Sequence, residues 1–392
     1  MDPFAPATLG PLTLRNRFIK SATFEGRTPK RVVTDELVDF HRRVAAGGVG
    51  MTTVAYCAIS RDGTTDGRQI VLKEEALPGL RRLTDAVHAE GAAACAQIGH
   101  SGPVANPHGT RHPSLAPSRI FAPVGMRFTQ AATHEDLDRI LADYVTGARI
   151  AVDAGFDALE VHLGHNYLLS AFLSPKLNRR RDSLGGSLTN RARFPRAILA
   201  AVRGAIGADV ALTAKFNMSD GVRRGFEIDE SLEVAKMIES DGNLDALELS
   251  GGSSFRNPMY LFRGDAPIAD MAATMPPSMQ LGFRIFGRRY FKTYPFEEAY
   301  FLPMARRFRS ELSMPLIYLG GVNTLSTAGR VLDEGFAFVA LARALLREPD
   351  LVEKWRVDPA RVATCIHCNR CMPSIYTGTR CVLDHPAPIR VG

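Results

Sequence analysis

An α/β fold, built as an eight-stranded (β/α)8 TIM barrel with long loops at one end and a short C-terminal extension, is what the sequence predicts. Three observations predict it. Eight short apolar, β-branched runs bounded by Gly, Asp or Asn recur along the chain, the number a closed barrel needs. Amphipathic helical patterns lie between them, as parallel strands require for the return of the chain. Several of those patterns end in Gly just before the next strand, where a helix C-cap belongs.

The strands are expected at 18–23, 50–56, 92–98, 158–163, 210–216, 246–250, 316–320 and 337–342. Helices are expected at 34–46, 79–90, 134–154, 191–204 and 231–240, with caps at Gly47, Gly91, Gly155 and Gly335. Two connections, 101–133 after the third strand and 253–307 after the sixth, are too long for simple turns. Both follow strand C-termini, so both belong on the active face of a barrel. The second carries Met259, Tyr260, Phe262, Met271, Met275, Met279, Phe283, Phe286, Tyr290 and Phe291. Such side chains suit either a lid over an apolar ligand or a satellite core under a long loop. Residues 1–350 read as one barrel and 351–392 as a cysteine-rich extension packed on it.

The 392 residues, 45% hydrophobic and 23% charged, describe a folded chain with a large core. A net charge of +7 raises the question of nucleic acid, but the basic residues are scattered apart from Arg179, Arg180 and Arg181 and no recognition motif accompanies them. A basic mouth that attracts cofactor phosphates accounts for the same charge. No apolar run is long enough to span a membrane and no leader pattern opens the chain, so a cytoplasmic protein is expected. Cys57 and Cys95 sit in apolar runs and read as core.

Catalytic groups of a barrel project from strand C-termini. The fourth strand ends in His162, Leu163, Gly164, His165, Asn166 and Tyr167, two imidazoles and a phenol at the mouth. Imidazoles donate hydrogen bonds to a carbonyl or oxyanion and a phenol delivers a proton, which suits enone reduction. Satisfied structural histidines are the bland alternative, and a metal would lack a third ligand beside them. Gln97 closes the third strand and Lys215 lies on the fifth; an amide pairs with a pyrimidine-like edge, and a cation stabilises charge on a reduced ring. Gly320 and Gly321 follow the seventh strand, and Ala342 and Arg343 the eighth, where barrels often bind phosphate. No Gly-x-Gly-x-x-Gly follows a strand, so a nicotinamide would dock on the barrel face itself.

With these residues in place, the sequence resembles the Old Yellow Enzyme family of NADH:flavin oxidoreductases over about residues 3–350. Leu14 to Phe18, Gln97 to His100 and above all the block His162 to Phe194 carry the resemblance. It implies FMN as cofactor, NADH or NADPH as reductant, and ping-pong hydride transfer to the activated C=C bond of a small unsaturated substrate. By the same resemblance His162 and His165 bind the activating carbonyl and Tyr167 is the proton donor. Gln97 and Lys215 hold the flavin ring with Ala22, Thr23 and Tyr56 beside it, and Gly320, Gly321, Ala342 and Arg343 hold its phosphate. Phe24 stands where the family often has Thr, Cys or His, Tyr56 where it has a small residue, and Ala342 where Gly is common.

Cys365, Cys368, Cys371 and Cys381 crowd the extension at a spacing typical of an iron-sulfur or zinc site. Longer family members resembling the dienoyl-CoA reductases bind a four-iron (4Fe-4S) cluster in the corresponding place. Here the second spacer is two residues where those use three and the gap to Cys381 is shorter, so reduced thiols stand as the alternative. Two rival functions are a barrel aldolase with Lys215 as Schiff-base lysine, and a non-catalytic flavin redox sensor reporting through the cysteines. A homo-oligomer is compatible with the pattern.

Overall fold

The computed structural model describes residues 1–105, 112–122, 126–275 and 277–385. Its centre is a closed barrel of eight parallel strands: β1 (Phe18–Lys20), β2 (Met51–Ala58), β3 (Ala93–Gly99), β4 (Ala158–Leu163), β5 (Ala211–Asn217), β6 (Ala246–Ser250), β7 (Leu316–Leu319) and β8 (Phe338–Leu341). Each expected strand is present, within a few residues of its expected ends. The first is shorter than expected because the chain leaves the sheet after Ser21, whose N–H still donates to Leu341 O at 2.8 Å.

Eight helices return the chain: α1 (Asp35–Ala46), α2 (Leu77–Ala89), α3 (His134–Asp153), α4 (Leu188–Ile206), α5 (Ile228–Asp241), α6 (Leu302–Glu311), α7 (Leu325–Asp333) and α8 (Leu351–Val357). Side chains of Thr34, Thr133, Ser187 and Thr324 accept from backbone N–H groups at the starts of α1, α3, α4 and α7. The cap on α4 explains why it begins before the expected 191. Apolar faces of the helices meet outward-facing strand residues, and Trp355 of α8 lies fully buried 5.6 Å from the Phe18 ring.

Residues alternate along every strand, and the inward set decides what the barrel can do. At the bottom the inward residues of β3 to β6 are small, Cys95, Ala158, Ala211 and Ala246, against the larger Ile19, Met51, Ile317 and Phe338 of the other four strands. Into that space fits an N-terminal hairpin, Ala7–Leu9 paired with Leu12–Leu14, whose Leu9 and Leu14 plug the barrel floor. The hairpin was not expected; two strands of three residues give too little periodicity to read. Above the plug the inward residues become polar, so the barrel opens only toward its strand C-termini.

The connection 253–307 is not a loop. It contains helices Pro258–Leu261, Ile268–Ala273 and Pro277–Tyr290 before α6. Its apolar residues divide: Met259 and Phe291 are buried, whereas Met279, Leu281, Ile285 and Phe286 are exposed. No described helix is long and apolar enough to cross a membrane.

Candidate active site

The β4 strand points Glu160 and His162 into the barrel, level with Gln97 of β3 and Lys215 of β5 respectively; Lys215 is in turn level with Glu248 of β6. Beyond Leu163 the chain turns sharply, and His165 and Asn166 both take left-handed backbone conformations with φ of 59°. Such conformations are costly for non-glycine residues and persist where neighbours hold them. His165 N donates to Asn217 Oδ1 at 3.1 Å, Asn166 N donates to Ser170 Oγ at 3.2 Å, and Ser253 Oγ donates to Asn166 Oδ1. The turn brings the Tyr167 ring to 4.2 Å from the His162 ring, with the His165 ring 5.1 Å from His162. Three of the expected catalytic groups therefore form one cluster.

Tyr56 joins it. A register shift in β2 between Val54 and Cys57 re-aims this residue, and its ring stands 5.5 Å from Tyr167. Gly99 makes room for the approach, since a Cβ there would lie 3.2 Å from His162 Cβ. The Tyr56 hydroxyl donates to Gly63 O, and burial pushes its pKa well up.

Both imidazoles are neutral at physiological pH. Burial, then His165 and Lys215, hold His162 well below its ordinary value; burial and then Lys215 bring His165 down to about 3. The His165 Nε2 lies 2.8 Å from Ser250 Oγ. The His162 Nδ1 and the Thr23 Oγ1 are buried without a partner among the described residues. Orphaned polar atoms at a barrel mouth fit a site completed by a polar ring, as FMN would complete it.

Below the histidines lies a charge network that sequence reasoning missed. Lys215 Nζ donates to Glu160 Oε1 at 2.9 Å and pairs with Glu248 Oε1 at 2.6 Å, and all three residues are at least 98% buried. Gln97 Nε2 donates to Glu160 Oε1 at 2.7 Å and Ser21 Oγ donates to Glu248 Oε1 at 2.9 Å. Burial alone would lower the lysine's pKa, but the two carboxylates outweigh it and raise the value. Burial and the adjacent Glu248 push Glu160 up to about 8. A second buried group, Lys20 with Glu25 at 2.9 Å, stands beside it. The signal for Glu160 and Glu248 was their even spacing from inward residues on strands otherwise apolar. Lys215, held as an ammonium, is no Schiff-base nucleophile, and the aldolase reading falls.

At the other end of the site Gly320 and Gly321 follow β7 with φ of 143° and 76°, and Ala342 and Arg343 follow β8. Gly321 lies tight beneath Tyr300, where a Cβ would meet the ring carbon at 2.5 Å. Arg343 Nη1 donates to Arg263 O at 2.9 Å and also to Asn369 Oδ1, so the β6–α6 connection and the extension both meet this end. Asn369 was not anticipated. Its Nδ2 donates to Asp265 O at 2.9 Å. The extension also reaches the chain beyond β1, where Thr379 N donates to Glu25 O at 2.7 Å.

Cys365, Cys368, Cys371 and Cys381 are all free and partly buried, and burial pushes the Cys371 thiol up to about 12. Among the described residues no group of three or more His, Cys, Asp or Glu stands ready to hold a metal ion. The structure thus brings the mouth residues together, and Cys365, Cys368 and Cys381 all lie within electrostatic reach of Cys371.

Residues 2–249 match the model of the NADH:flavin oxidoreductase / NADH oxidase family. The chain belongs to this family. It shares the family's dependence on FMN and reduced nicotinamide. It is 56% identical over 387 residues to a 4,4'-dithiodibutanoate disulfide reductase of Rhodococcus erythropolis, covering 99% of this chain and 96% of that one. It is 32% identical over 376 residues to a metal reductase of Desulforamulus reducens, covering 95% of this chain but only 52% of that protein. The chain therefore spans nearly all of the first relative and about half of the second. Among solved structures, an old yellow enzyme homologue from Zymomonas mobilis superimposes with a TM-score of 0.72 at 21% identity, covering 97% of this chain and 100% of that one, which supports the fold.

Proposed function

We propose that this family member passes two electrons from NADH or NADPH, by way of FMN in the barrel mouth, to a small organic disulfide that carries carboxylates. The observation that carries this reading is the 56% identity over nearly the full length of a dithiodibutanoate disulfide reductase. The balance is R–S–S–R + NAD(P)H + H⁺ → 2 RSH + NAD(P)⁺: one S–S bond breaks and two S–H bonds form. FMN, when bound, supplies the hydride store between the two half-reactions. Ala22, Thr23, Tyr56, Gln97, His162 and Lys215 would hold its ring, and Gly320, Gly321, Ala342 and Arg343 its phosphate.

The chain's own groups do the rest. The two neutral imidazoles donate hydrogen bonds to the departing sulfur, and Tyr167, ring to ring with His162, delivers its proton. Six free cysteines suit a cytoplasmic home, where thiols and reduced nicotinamides persist.

A second reading is favoured by the cluster itself. Two neutral donors beside a phenol also suit an α,β-unsaturated carbonyl, His162 and His165 holding its oxygen and Tyr167 protonating carbon. The test is anaerobic: protein reduced by nicotinamide is mixed with a dicarboxylate disulfide, an enone or a nitroalkene, and flavin reoxidation is followed. Fastest reoxidation by the disulfide supports the first reading and fastest reoxidation by an alkene the second. Silence from all three ends both.

A further inference from the structure

A cleft of about 810 Å³ lies outside the barrel mouth, between the helix Pro277–Tyr290, the segment 265–270 and the cysteine-bearing extension. Arg284 and Arg288 line one wall, Asp270 and Arg370 face across it, and Phe291 and Cys368 also line it. Asp270 is already taken: Arg370 Nε sits 3.2 Å from its Oδ2. Arg284 and Arg288 have no hydrogen-bond or ion-pair partner among the described residues, and the one other carboxylate in the cleft, Asp265, pairs with neither.

Four other arginines show the pairing that these two lack. Arg196, Arg203, Arg306 and Arg307 all meet a carboxylate oxygen at 2.5–2.7 Å. Arg284 and Arg288 stand four residues apart on one helix face, where like charges repel and destabilise the helix by a few tenths of a kcal/mol. An anion between them would reverse the sign of that interaction, and paired guanidinium forks suit carboxylate and phosphate oxygens.

The cleft also communicates with the catalytic cluster through a short chain of contacts. Ser254 N donates to His165 O at 3.1 Å, and Tyr290 OH donates to Ser254 O at 3.0 Å. The Tyr290 ring lies 4.9 Å from Phe291, which lines the cleft. Arg256, within electrostatic reach of Tyr290, has a buried Nε with no partner among the described residues. Arg256 thus stands near Tyr290 with one buried N–H unpaired, and the solvent-exposed Arg284 and Arg288 line the cleft beyond.

We propose that this cleft, with Arg256 on its mouth side, is an anion-recognition site that holds the carboxylate or phosphate end of a linear ligand whose other end reaches the barrel mouth. Arg284 and Arg288 are its specificity-determining residues. Two ligands of the proposed reaction carry such an end: the acceptor, through its carboxylate, and the nicotinamide dinucleotide, through its pyrophosphate. The inference rests on the reading above only in naming those two sources.

The test is calorimetric titration of the FMN-loaded protein with two unreactive probes, sebacate for the dicarboxylate and ADP-ribose for the dinucleotide. One probe should bind, with affinity falling as salt rises. The Arg284→Ala/Arg288→Ala pair should weaken it at least tenfold, and the Arg284→Lys/Arg288→Lys pair should restore part of the loss. Whichever probe responds names the source. Failure of both to bind, or binding that the alanine pair leaves untouched, overturns the proposal. Failure of the flavin to be bleached by nicotinamide would instead strike the reductase reading, while these titrations would still report on the cleft.

Discussion

Glu160→Gln should remove a pH dependence of folding that the wild-type chain carries between pH 5 and 8. Glu160 is 2% exposed, and burial together with Glu248 raises its pKa to about 8. In the unfolded chain a glutamate titrates near ~4.3. A carboxyl whose pKa is higher in the folded state takes up a proton on folding. Its contribution is full below the unfolded value and is lost as pH rises toward the folded one. Between those limits the loss is about 1.4 kcal/mol per pH unit, or roughly 4 kcal/mol across three units. Glutamine keeps an oxygen for Lys215 to donate to and has no proton to lose. Urea unfolding at pH 5, 6, 7 and 8 checks this through Trp355, the only tryptophan, which is buried. The variant should gain on wild type steadily as pH rises. Parallel stability curves would refute the raised pKa of Glu160.

Tyr167→Phe should slow acceptor reduction while leaving flavin bleaching by nicotinamide nearly intact; equal loss in both half-reactions, read by stopped flow, would contradict a proton-donor role. The double variant His162→Ala/His165→Ala should weaken binding of phenolic ligands, which present an oxyanion to the cluster, at least tenfold, about 1.4 kcal/mol. Unchanged affinity by spectral titration would remove the imidazoles from the site. Trp355→Ala, which empties the space beside Phe18 and deletes the hydrogen bond from Nε1 to Arg361 O at 3.0 Å, should cost about 3–5 kcal/mol in thermal or urea unfolding. A cost below ~1 kcal/mol would mean α8 contributes little to the barrel.

Much of this was legible because a β/α barrel writes itself in a simple code. Each buried parallel strand is a short apolar run, and each return helix has its own period, several with a glycine just past the end, as at Gly91 and Gly155. His162, His165 and Tyr167 were legible for the same reason: they follow a strand that could only end at the mouth. What was not legible depends on distance between strands. Glu160 and Glu248 are separated by 88 positions, and only the pairing of β4 and β6 on the two sides of β5 places both on Lys215. Asn369 meets Arg343 because the extension folds back, which no local pattern records. The helix Pro277–Tyr290 escaped notice because Gly282 and Gly287 interrupt it and its apolar residues face solvent rather than a core.

The central claim is that the open end of this barrel holds FMN between a nicotinamide and a reducible acceptor. Anaerobic titration of the FMN-reconstituted protein with NADH and with NADPH tests it most directly. One equivalent of at least one nicotinamide should bleach the bound flavin completely. A protein that retains no FMN after gel filtration, or whose bound FMN neither nicotinamide reduces, would contradict it.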